Sequence, residues 1–262
     1  MSLKCLSING KSVIRWLTIS ILLASFGIPA NADMFKPGKS DQIRMGEQAA
    51  KDVLREKKLA TGPKADALQR ISTKLLENLP DKQKKDWKWN FYLIQSKEVN
   101  AFALPGGSIF IYTGLSDKMD NDNQMAAVVG HEMAHVYKEH WANMVADATK
   151  RELGLAIILG LTKAGSTWQT IAGGIDTLMI LSYSRKDEDQ ADESGLLNMC
   201  RAGFDTTGMV QLFEILKKAG GDASSIELLR SHPDTKARIK KTQERIEKLK
   251  KSTDCTLGTS KK

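Results

Sequence analysis

The chain has 262 residues, 41% of them hydrophobic but only 6% aromatic, and a formal charge of +8. That length suits one substantial core, and the low aromatic content points to a helix-rich fold. The basic excess comes with no nucleic-acid recognition motif and no aromatic-studded basic groove, so nucleic acid is excluded as a partner; peripheral association with an anionic membrane surface stays open.

Residues 1–32 contain Lys4, Lys11 and Arg15 and no acid, and without these three cations the remainder is near +5. A basic start, an apolar run over 17–26 and Ala30-Asn31-Ala32 have the form of an export signal cleaved after Ala32, leaving 33–262 as one mature domain. The competing reading is an uncleaved anchor, but the apolar run is shorter than the ~20 residues a spanning helix needs. Of the three cysteines, Cys5 lies in this leader, and Cys200 and Cys255 remain. In an oxidising compartment such a pair suits one disulfide, with a buried thiol and a free one as the alternative.

Helical spacing marks 41–59 and 66–79, the second with Leu68, Ile71, Leu75 and Leu79 on one face. Pro80-Asp81 breaks that pattern. Trp87, Trp89, Phe91 and Leu93 then alternate with polar or aromatic neighbours at strand period. Pro105-Gly106-Gly107 is a turn into a second strand over 108–113. Asn121 with Gln124 resembles a capping box opening a long helix that is expected to reach about Arg151. The apolar stretch 153–181 contains Lys163, Gln169 and Asp176, so a helical hairpin in the core is expected there rather than a membrane span. Further helices are expected over 186–199 and 207–219, and a charged last helix carries Ile239, Thr242, Ile246 and Leu249.

The chemistry concentrates at His131-Glu132-Met133-Ala134-His135. Residues four apart on a helix share a face, so two imidazoles can reach one zinc ion while the intervening glutamate stands beside the metal's open position. There a carboxylate can take a proton from water that a metal has acidified, which is the equipment of a peptide-bond hydrolase. Chance alone yields H-E-x-x-H in on the order of one chain in a hundred, so its place in a capped amphipathic helix matters. His140 is nine residues after His131, about 900° around a continuous helix, and is expected on the opposite side. A third ligand must come from elsewhere. Glu188 and Asp192 share a face of the later helix and offer one, with Asp192 able to accept a histidine's spare N–H. A solvated charge run explains the same acids equally well.

The two segments His131-Glu132-Met133-Ala134-His135 and Glu188-Asp189-Gln190-Ala191-Asp192, with Ser184-Arg185 before the second, resemble the gluzincin peptidases. That family includes the heat-shock protease HtpX, the CAAX prenyl proteases and the periplasmic proteases BepA and LoiP. Ser231-His232-Pro233 with Arg238 is similar as well. The resemblance covers about residues 40 to 250. It implies an α+β, helix-rich, zincin-like domain with a small twisted sheet beside the active-site helix. One zinc per chain would be held by His131, His135 and Glu188, with Glu132 as the base, His232 stabilising the oxyanion or covering the metal, and Asp192 and Arg238 in support. Asn100, Ala101 and Phe102, followed by Ser108, Ile109 and Phe110, are similar to the family's cleft-edge strand, which pairs with extended substrate. The implied substrates are unfolded or misassembled envelope proteins, met in the periplasm. The membrane-spanning helices of HtpX and the helical repeats of BepA have no counterpart in this reading. A metal-binding chaperone or adaptor of the same fold is the rival function.

Overall fold

The computed structural model describes residues 35–158, 182–219, 227–232, 235–252 and 255. Residues 1–34, with the export signal expected there, and residues 159–181 of the apolar stretch, with its expected hairpin, lie outside them.

Helix α1 (Lys39–Glu56) is followed by α2 (Pro63–Glu77), which opens on a proline at its first position, where a missing N–H costs nothing. Its buried face is Leu68, Ile71 and Leu75, the stripe expected from their spacing. After the short α3 (Asp81–Lys85) comes β1 (Asn90–Ile94), which buries Phe91 and Leu93, with Trp87 buried just ahead of it. Then follow β2 (Ala101–Ala103) and β3 (Ser108–Tyr112). Gly106 and Gly107 in the turn before β3 have φ of 89° and 120°, and a Cβ on Gly106 would stand 2.5 Å from the Ile43 Cα, so both conformation and space demand glycine.

The sheet order is β1-β3-β2, with β3 parallel to β1 and antiparallel to β2. Every side chain of β3 is buried because both faces are covered. Ile109 and Ile111 join a core with Leu68, Leu75, Val129 and Met133, while Phe110 and Tyr112 join Ala49, Ala50 and Val53 of α1. This topology corrects the expected substrate strand. Ser108, Ile109 and Phe110 sit in the central strand with both edges already paired, and the Asn100 carbonyl is taken by the Tyr112 N–H. Among the described residues, the outer edge of β2 is what remains on that side. Its even positions bond to β3, so Ala101 and Ala103 turn their peptide groups outward.

After α4 (Thr113–Ser116), helix α5 (Asp122–Tyr137) runs through the centre of the core, buried from Gln124 to Val136. Asn121 caps it by accepting from the Asn123 and Gln124 N–H groups, whereas the Gln124 side chain accepts from Asp120 N. The long helix expected to reach Arg151 is interrupted at Lys138-Glu139, and α6 (His140–Ile158) is a separate element. Glu139 has φ 57°, a left-handed conformation costing about 1–3 kcal/mol for a non-glycine residue. Its carboxylate is held by Gln42 at 2.9 Å and Lys36 at 3.3 Å, contacts from about a hundred positions earlier that local periodicity does not reveal.

Helix α7 (Arg185–Arg201) starts with a capping box between Ser184 and Asp187. It packs mainly on α5, and is followed by α8 (Thr207–Ala219), α9 (Glu227–Ser231) and α10 (Thr235–Leu249). Cys200 in the last turn of α7 is bridged to Cys255, with Cα atoms 5.1 Å apart. Among the described residues no helix is long and apolar enough to cross a membrane.

Candidate active site

Two glycines set the distance between the helices that carry the site. A Cβ on Gly195 of α7 would lie 2.9 Å from both the Gly130 carbonyl carbon and the His131 nitrogen of α5, so the backbones touch here without intervening side chains. That contact brings Glu188, two turns earlier on α7, over the face of α5 that bears His131 and His135.

The Nε2 atoms of His131 and His135 are 3.0 Å apart. Glu188 places Oε1 3.4 Å from His135 Nε2 and Oε2 3.6 Å from His131 Nε2. His232 Nδ1 lies 2.9 Å from Glu188 Oε1 and 3.3 Å from His131 Nε2. All four residues are buried, and their donor atoms lie within 4.8 Å of one another. An ion with four ligands at about 2.0–2.1 Å separates those ligands by about 3.3 Å. The observed spacings scatter around that value, so the donor set fits one small divalent ion. Glu132 is buried beside it, with Oε1 3.7 Å from His232 Nε2 and Oε2 without a hydrogen-bond partner.

A charged frame holds these donor groups. Arg238 donates from Nε and Nη2 to the two oxygens of Asp192, both at 2.7 Å, and its Nη1 is 2.6 Å from Glu188 Oε2. Its guanidinium also lies 4.8 Å over the Phe213 ring, and Nη1 reaches the His232 carbonyl at 3.4 Å. Asp192 Oδ1 in turn is 3.0 Å from His131 Nδ1. Burial alone would raise the Glu188 carboxyl, but His232, His135 and Arg238 outweigh it and hold it well below the usual range. For Asp192 burial is likewise outweighed by Arg238. Burial pushes His135 well below its ordinary value, keeping it neutral. His232 goes the other way: burial opposes its charge, but Glu188 and Glu132 raise it.

The profile of Peptidase family M48 matches residues 63–246, which include all of these groups. The chain belongs to Peptidase family M48. Relatives of this M48 chain include the mitochondrial metalloendopeptidase OMA1 of Arabidopsis thaliana, 31% identical over 79% of the chain and 40% of that protein. The beta-barrel assembly-enhancing protease of Escherichia coli K12 is 27% identical over 62% of the chain and 35% of that protein. Metalloprotease YcaL of the same strain is 31% identical over 60% and 62%. The aligned part is less than half the length of the mitochondrial and beta-barrel relatives.

His131, Glu132, His135, Glu188, Asp192, His232 and Arg238, singled out from the two motifs and from Ser231-His232-Pro233, lie together in one buried cluster. Two groups at the site were not found from sequence. His140, expected on the far side of a continuous helix, lies beside His135 because the break at Glu139 turns it back, with its Nδ1 2.9 Å from His135 Nδ1. Tyr183 stacks on the His135 ring, with centroids 3.9 Å apart, and its N–H donates to Ser231 O. Burial and nearby Glu132 raise its phenol above the ordinary range. The only signal for Tyr183 was its place just before the α7 cap.

The frame gives a direct test of stability. Arg238→Met leaves Asp192 and Glu188 buried without their cation, which costs about 3–5 kcal/mol at neutral pH. In the parent, Asp192 is held below its ordinary 3.8, so its contribution is complete above that pH and is lost as pH falls through the lower folded value. The deficit of the variant in urea unfolding should therefore be largest near pH 7 and shrink on approach to pH 4 as the orphaned carboxyls protonate.

Proposed function

We propose that the chain is a zinc-dependent endopeptidase that hydrolyses peptide bonds of unfolded or misassembled proteins in the cell envelope. The observation that carries the reading is a buried group of two imidazoles and a carboxylate at ligand spacing, with the unpartnered Glu132 oxygen beside it. His131, His135 and Glu188 would hold zinc. When bound, the ion acidifies water and polarises the scissile carbonyl. Glu132 takes the proton of the attacking water and returns it to the leaving amine. His232, whose Nε2 lies 3.7 Å from Glu132 Oε1, donates to the developing oxyanion. In a resting arrangement its Nδ1 belongs to the ligand group, so turnover requires it to turn outward. Asp192 and Arg238 keep His131 and Glu188 in place.

Substrate would lie along the outer edge of β2, where Ala103 borders the same cleft as His135 and Tyr183. An apolar side chain would enter the narrow apolar pocket beside His131 and Glu132, lined by Met209, Leu212, Phe213, Leu216 and Leu228. The envelope setting rests on the export-type leader and on relatives named for β-barrel assembly. The chaperone or adaptor reading uses the same ligands, and His232 closing the donor group is what favours it.

Turnover separates the two. The purified chain is expected to cleave casein, to stop when zinc is chelated and to recover with zinc but not with magnesium, because nitrogen ligands suit zinc and magnesium demands oxygen. Metal-loaded protein that binds casein without cutting it would sink the peptidase reading and support the adaptor.

A further inference from the structure

We propose that His140 is a positioning residue for the metal centre, fixing the orientation and tautomer of His135 through a histidine-to-histidine hydrogen bond. This rests on the reading of His135 as a ligand. The two metal-facing histidines have different support. His131 turns its Nδ1 to a carboxylate, Asp192, 3.0 Å away and itself clamped by Arg238. His135 turns its Nδ1 to a neutral ring, His140 Nδ1, at 2.9 Å.

The direction of each proton follows from hydrogen-bond chemistry. A histidine that gives its Nε2 lone pair to a metal carries its proton on Nδ1, so His135 must donate there. His140 Nδ1 must then accept, which leaves the His140 proton on Nε2. That nitrogen lies 3.1 Å from Gln190 Oε1 and 3.8 Å from Asp187 Oδ1, so an acceptor stands where the proton has to go. The chain from His135 through His140 to Gln190 has one consistent set of donors and acceptors. His140 is buried at 1% exposure, so water cannot replace it cheaply.

The fold goes to some cost to build this contact. The left-handed Glu139 separates α5 from α6 and reverses the direction His140 would have had on a continuous helix. Gln190 comes from α7, between Glu188 and Asp192, so one helix supplies a ligand, the support for His131 and the end of the relay behind His135.

The test compares zinc affinity of the full chain, by competition with a chromogenic chelator, for the parent, His140→Leu and His140→Asn. Leucine removes the acceptor and is expected to weaken zinc binding about 10- to 100-fold. Asparagine, whose carbonyl can accept from His135 Nδ1, is expected to restore most of it. Cobalt-substituted protein adds a readout that packing alone would not move: its visible ligand-field band should shift in the leucine variant and return toward the parent in the asparagine variant. Nitrogen-15 spectra of labelled histidine in the zinc form should show His140 as the Nε2–H tautomer. Equal affinities and identical cobalt spectra for parent and leucine variant would overturn the proposal, as would equal losses in both variants. A parent that binds no zinc would instead sink the metal reading itself.

Discussion

Glu132→Gln is expected to lower casein cleavage about 10²- to 10⁴-fold, the usual contribution of a positioned general base, while leaving zinc bound at about one ion per chain. The amide has nearly the shape of the carboxylate but no lone pair basic enough to take a proton from water. Glu132 is buried and outside the ligand group, so the change should spare the fold and the donors that the metal uses. Its neighbour His232 lies 3.7 Å away, and losing that carboxylate should also make His232 easier to deprotonate. A variant that cuts as fast as the parent would remove Glu132 from the chemistry.

Gly195→Ala should damage the site from a distance, although alanine is the better helix former. In an exposed helix the exchange would stabilise by about 0.8–1.0 kcal/mol. Here the new methyl would stand 2.9 Å from two backbone atoms of α5, which cannot rotate away, and overpacking of this kind costs about 1–3 kcal/mol. The clash outweighs the gain in helix propensity, and α7 must move off α5. Since Glu188 rides on α7 and the histidines on α5, zinc affinity should fall at least about tenfold, the lower end of losses from disturbed ligand support, together with the melting temperature. Gly130→Ala is the internal control, because its methyl would meet Gly195 O at a less severe 3.2 Å and should cost less on both measures. A Gly195→Ala protein that melts above the parent with unchanged zinc affinity would show that the crossing has slack.

Local patterns revealed most of the helices and the chemical identity of the centre. The stripe of Leu68, Ile71 and Leu75, the Asn121 cap and the His131–His135 spacing are all written within a turn or two of chain. Glu188 was different: its acids read equally well as a solvated run, and only the resemblance singled it out. What brings it over the two histidines is the contact of Gly195 with Gly130, a pair 65 positions apart whose meaning exists only after folding. The same holds for His140. A 3.6-residue period placed it on the wrong side because the break depends on Glu139 being gripped by Gln42 and Lys36. Asn100, Ser108, Ile109 and Phe110 failed for a related reason: strand period shows which side chains alternate, not which strand ends up in the middle of the sheet.

The central claim is that α5 and α7 together hold one metal ion. Zinc content of Glu188→Ala measured beside the parent, after dialysis against a weak chelator, tests it most directly. Removing the carboxylate takes away a ligand and leaves the Arg238 guanidinium, 2.6 Å from it in the parent, facing the remaining histidines without that counter-charge. The parent should retain close to one zinc per chain and the variant almost none. Retention of a full equivalent by Glu188→Ala, with affinity equal to the parent, would contradict it.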